Sequence, residues 1–184
     1  MTSHVSMEAT INKRPEPAEY DPYYQGYIDL AEANPLTQLE RQIRSFELAG
    51  RLSQELAAGR PAQEEWSVNE VLVHLCDFER NFVYRALRFS RGNLEPIAGF
   101  DQDAFIATAG ANQRNLTDIV DELVSLRRST IRFFASLSAA QLRQAGVAGG
   151  AAITVRALLF IVPGHCEGHL NDLRRLHPEI FPAV

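Results

Sequence analysis

His165 and His169 stand four residues apart in a segment of helical apolar period, and a helix there stacks both imidazoles on one face, about one turn from each other. That geometry can chelate a metal ion. The same spacing also occurs on ordinary helix faces, so the pair alone does not separate a ligand set from two structural histidines. His74 is the third candidate. On a helical wheel it falls about 60° from Val71, beside the stripe of Leu75, Phe78 and Phe82, at the edge of a buried face where a lone histidine is also read as a hydrogen-bonded core residue. Asp77, Asn81 and Arg85 extend a polar strip alongside it. Burying such a strip unpaired is costly, so it faces a solvent-filled pocket, serves a site, or forms a solvated edge. Glu79, on the other flank, reads as a structural partner. Cys76 lies about 160° around the helix from His74 and cannot share a metal with it. Cys166 falls on an apolar stripe, and both cysteines read as small buried hydrophobes. No phosphate-cradling glycine loop and no nucleophile elbow is present in the sequence.

Four long segments must position these groups. Leu36, Leu39, Ile43, Phe46, Ala49, Leu52 and Leu56 predict a helix over 36–57, with Asn34 as N-cap and Pro35 in the first turn. Ser67 with Glu70 forms a capping-box pattern, and Trp66 with Val71 has staple spacing, so a second helix spans 68–91 and stops at Gly92. A third spans 116–136, followed by a short capped turn from Ser138 that ends among Gly146, Gly149 and Gly150. The fourth, 155–176, is N-capped by Thr154 and contains Pro163-Gly164; since its apolar period stays in phase through that pair, one kinked helix is expected rather than a turn. Residues 92–115 form a connection long enough to hold a short helix near 100–109. Before the bundle, Tyr20, Tyr23, Tyr24 and Tyr27 among Pro15, Pro17 and Pro22 predict an extended arm, residues 1–33, packed on a single domain of residues 34–184. The expected fold class is all-α, a four-helix bundle whose two long connections, 92–115 and 137–154, are crossovers.

The composition bounds the function. With 184 residues, 46% hydrophobic and 22% charged, the chain holds a core without disulfides or a structural metal, so a metal here would be functional. Net charge is −5 and the arginines are scattered, which predicts neither nucleic acid nor an anionic membrane as partner. Two cysteines, no charged-then-apolar leader in Met1 to Pro17, and no apolar run near 18 residues lead to the expectation of a soluble cytoplasmic protein.

Read in order, Trp66 to Leu75, then Asp77, Glu79, Tyr84 to Phe89, Gly99 to Asp103 and Gly164 to Leu170 resemble the DinB-like family. The likeness extends over nearly the whole chain, including the stretch from Arg14-Pro15 to Tyr27. It implies a four-helix bundle with two crossovers, commonly a homodimer, with a divalent metal on one histidine of the second helix and two of the fourth. Those positions fall on His74, His165 and His169. It also implies a small-molecule substrate and either thiol-dependent transfer with a low-molecular-weight thiol cosubstrate or metal-dependent hydrolysis. The alternative is a non-catalytic module that binds or senses a small molecule or metal. Imidazole ligands suit Zn, Ni or Fe alike, and they leave coordination positions open. Asp77, one turn from His74, is the candidate catalytic base or orienting carboxylate. With ordinary imidazoles near pKa 6.5, metal binding is expected to weaken below about pH 6. Two positions depart from the family pattern: Gly168, where a histidine is common, and Pro163, where a small or aliphatic residue is usual.

Overall fold

The computed structural model describes residues 11–62, 65–178 and 180, so the first ten residues of the expected arm lie outside the described residues. After two 3₁₀ turns, Pro17–Glu19 and Pro22–Tyr24, the helices are α1 (Gln25–Leu30), α2 (Pro35–Ala49), α3 (Gln54–Ala58), α4 (Val68–Ser90), α5 (Gln102–Thr108), α6 (Leu116–Ala135), α7 (Ala139–Leu142) and α8 (Val155–Leu176), with strands β1 (Ala145–Ala148) and β2 (Ala151–Thr154) before α8.

The bundle consists of α2, α4, α6 and α8. Helix α4 packs on α6 and α8, and α2 packs on the same two, so consecutive α2 and α4 stand across the diagonal, as do α6 and α8. The connection 92–115 joins neighbours and is not the crossover expected of it, whereas 50–67 and 137–154 carry the chain across the bundle.

Local chemistry explains most boundaries. Asn34 accepts from the Thr37 amide and Pro35 opens α2. At α4 both halves of the capping box form, Ser67 Oγ accepting from Glu70 N and Glu70 Oε2 from Ser67 N. The predicted 36–57 helix is two pieces. It ends at Ala49, and Ser53 caps the separate α3, which leaves Leu56 exposed although it fits the apolar period. Helix α8 runs unbroken through Pro163.

Two further elements differ from the sequence reading. The segment 137–154 contains a β-hairpin, made possible by Gly149 and Gly150 at φ 61° and 88°, the pair of left-handed residues that a two-residue hairpin loop requires. Gly146 is needed inside β1 because a side chain there would enter the Phe89 ring. The arm is also helical where an extended chain was expected. Pro17 and Pro22 each occupy the first position of a turn, where proline's missing N–H costs nothing. Tyr20, Ile28 and Ala31 of this segment are buried against α8 and α4 in one of two apolar clusters.

Candidate metal centre

One histidine from α4 and two from successive turns of α8 converge. Ligand-capable atoms of His74, His165 and His169 all lie within 4.8 Å of one another, and the Nε2 atoms of His74 and His165 are 3.0 Å apart. Nitrogens bound at about 2.1 Å to one ion and at right angles sit about 3.0 Å apart, so this separation fits two adjacent ligands. His74 and His165 are buried, and His165 Nδ1 has no hydrogen-bond partner among the described residues. Burial and the neighbouring His169 push the His74 imidazole down to about 3, and burial holds His165 and His169 below the ordinary histidine value as well. All three are therefore neutral at physiological pH, the form that coordinates metal.

Aromatic packing holds these rings. Phe78 stacks on His165 at 3.5 Å between centroids and 4° between planes, while Tyr27 meets the same ring edge-on at 5.1 Å. Trp66, placed just before the α4 cap, lies 4.9 Å from the His74 ring and nearly parallel to His169 at 6.3 Å. Behind α8 a buried polar network fixes the turn that carries His165. Glu79 pairs with Arg127, Arg127 donates to Gln42 Oε1 at 2.7 Å, and Gln42 Nε2 donates to the Pro163 carbonyl at 2.9 Å and to Glu167 at 2.8 Å. All four bundle helices contribute to it.

The centre opens on one side. His169 is only half-buried and lines a cleft of about 360 Å³ with Trp66, Glu65, Asp103, Asp172 and Arg175. Asp77 does not join it. Its carboxylate lies 3.8 Å from Arg80 and lines a different cavity with Arg114 and Glu122, and among the described residues no carboxylate belongs to the metal-capable group. Burial raises the Asp77 carboxyl, with Arg80 opposing. The wheel placed Asp77 beside His74 but could not say that α5 and α6 would claim that side. Asp103 and Asp172 are the carboxylates that reach the cleft instead. Only Asp103 carried a signal, inside the Gly99 to Asp103 run. Both cysteines are buried and free, and burial pushes their thiols up to about 12 at Cys76 and about 11 at Cys166, so neither is a ready nucleophile.

Residues 38–173 match the profile of the DinB superfamily. The chain belongs to the DinB superfamily. Among solved structures it is similar to YfiT from Bacillus subtilis, described as a probable metal-dependent hydrolase with an unusual four-helix bundle topology, at 14% identity and TM-score 0.69, covering 93% of this chain and 95% of that one. At that identity the likeness carries the fold. Comparison with curated proteins gives no significant match. The two departures from the usual DinB pattern have structural places: an added Cβ at Gly168 would meet Leu30 Cδ1 at 3.6 Å, so that position faces α1, and Pro163 supplies the carbonyl that Gln42 holds.

Proposed function

We propose that His74, His165 and His169 hold one divalent ion and that the chain is a metal-dependent hydrolase acting on a small molecule admitted through the Trp66 cleft. The observation that carries the reading is the convergence of three imidazoles, two of them buried and the third facing a cleft. A divalent ion bound there would supply Lewis acidity, polarising a substrate carbonyl and acidifying water toward neutrality. Zn, Ni and Fe all suit this donor set. Trp66 gives the cleft an apolar wall, and Asp103 and Asp172 place carboxylates where they can accept a proton. Hydrolysis is favoured over thiol transfer by charge. Glu65, Asp103 and Asp172 against Arg175 alone make a poor host for an anionic thiol cosubstrate.

The test is elemental analysis of the purified protein, then turnover of ester and amide panels with and without a chelator. Stoichiometric metal, chelator-sensitive hydrolysis and loss of both in His165→Ala with helicity retained are the expected results. No metal uptake after divalent addition would overturn the centre. Turnover only with added thiols would make the protein a transferase, and metal binding without turnover in either panel would make it a binding module.

A further inference from the structure

Arg85 is only 3% exposed. Arg127 and Arg156, also buried, each meet a carboxylate, Glu79 and Glu19 respectively. Arg85 does not: among the described residues its recorded partners are ring faces, Phe82 at 4.6 Å and Phe100 at 5.7 Å from the guanidinium carbon. Ring faces offset only part of the cost of removing a guanidinium from water, so the cation has unused capacity for an anion. It lines a cavity of about 110 Å³ with Tyr24, Phe78, Phe82, Phe100 and Gln102, and no acidic residue lines that cavity. The walls come from the Tyr-rich arm on one side, α4 beneath, and the 92–115 connection with the Gly149 turn on the other.

We infer that this cavity binds the carboxylate of a small organic acid, with Arg85 as its anchoring cation. One planar guanidinium matches one carboxylate in two parallel hydrogen bonds. The remaining walls are largely aromatic, which suits an apolar or planar body and disfavours a phosphate dianion, whose further charge would face electron-rich ring faces. The volume is below the roughly 150 Å³ that accommodates benzene, so acids of about two or three carbons fit whole. The site is distinct from the histidine centre. Phe78 stands between them, stacked on His165 at 3.5 Å and on Phe82 at 3.8 Å.

The experiment is calorimetric titration of the full chain with formate, acetate and propionate, against chloride and inorganic phosphate at fixed ionic strength. Saturable acetate and propionate binding is expected, roughly tenfold or more weaker in Arg85→Met and unchanged in His169→Ala. Absence of saturation, or phosphate or chloride binding as well as the acids, overturns the inference. So does binding that survives Arg85→Met and vanishes in His169→Ala, because that locates the acid at the histidines. Should Arg85→Met not fold, nuclear Overhauser contacts between propionate and the Phe82 and Phe100 ring protons of the native protein decide, and their absence at saturating propionate refutes the site.

Discussion

Replacing Gly164 with alanine sets helix propensity against packing. Propensity alone favours alanine inside α8 by about 1 kcal/mol. The added Cβ, however, would overlap the carbonyl oxygen of Tyr27 and come within 2.7 Å of its carbonyl carbon. The oxygen is the limiting contact, and restoring it to an ordinary separation would require α1 to retreat by about 1.4 Å. It is not free to do so. Ile28 is buried, Arg14 donates to the carbonyls of Ile28 and Ala31, and Glu19 pairs with Arg156 at the start of α8. Forcing an extra methyl into such a contact costs about 1–3 kcal/mol, and releasing α1 instead would forfeit the burial of Ile28, about 2 kcal/mol. Net of the propensity gain, Gly164→Ala is expected to destabilise the protein by about 1 kcal/mol, and by up to about 2 kcal/mol, in urea unfolding and to raise hydrogen exchange in α1. Gly168→Ala is the control, since its Cβ finds only ordinary contact with Leu30, and it should be neutral or stabilising by up to about 1 kcal/mol. If Gly164→Ala proved as stable as Gly168→Ala, the close approach of α1 to α8 would be refuted.

Acid stability of the metal-free protein follows from the depressed His74 value of about 3. The unfolded chain takes up its proton first, so this contribution is present above about pH 6.5 and is lost as pH falls toward 3; by pH 5 the loss amounts to about 2 kcal/mol. Unfolding free energies that stay flat from pH 7 to 5 would contradict it. Arg127→Met, leaving Glu79 charged and buried, should cost about 3–5 kcal/mol, and the double change with Glu79→Leu much less, as a double-mutant cycle would show. Ser67→Ala should cost about 1 kcal/mol by removing the α4 cap, measured by thermal unfolding.

What was legible in the sequence were the features encoded within a few residues. The α4 cap, the phase of apolar residues through Pro163 and the four-residue spacing of His165 and His169 are local, and the structure contains each of them. Glu79 as a structural partner was legible from its side of the stripe, and its partner Arg127, 48 residues away, was not. The hairpin is hidden because its strands are mostly alanine and glycine, which carry little strand propensity, and its turn glycines carry the same local signal as a helix stop. Asp77 lies away from the three histidines for a tertiary reason, since a wheel fixes direction from one helix axis but not which neighbour occupies it.

Pro163, Gly164 and His165 show how the centre depends on the surrounding fold. A helix carbonyl normally receives an amide four residues on, and proline at 163 withdraws one such amide from α8, leaving this stretch less constrained by its own backbone. Contacts from outside α8 act on the same stretch: Gln42 of α2 holds the Pro163 carbonyl, the bare Gly164 backbone seats Tyr27 of α1, and Phe78 of α4 stacks on His165. The orientation of His165 is thus set by three elements that carry no ligand nitrogen or, for α4, carry one on a different turn. Loosening any of them should displace His165 relative to His74 before it unfolds the bundle. Gln42→Leu therefore tests the arrangement: it keeps a similar side-chain volume, removes the hydrogen bonds to Pro163, Glu167 and Arg127, and should lower metal affinity about tenfold or more while circular dichroism still reports native helix content. Unchanged affinity in a folded Gln42→Leu protein would show that the α8 backbone alone orients the ligand.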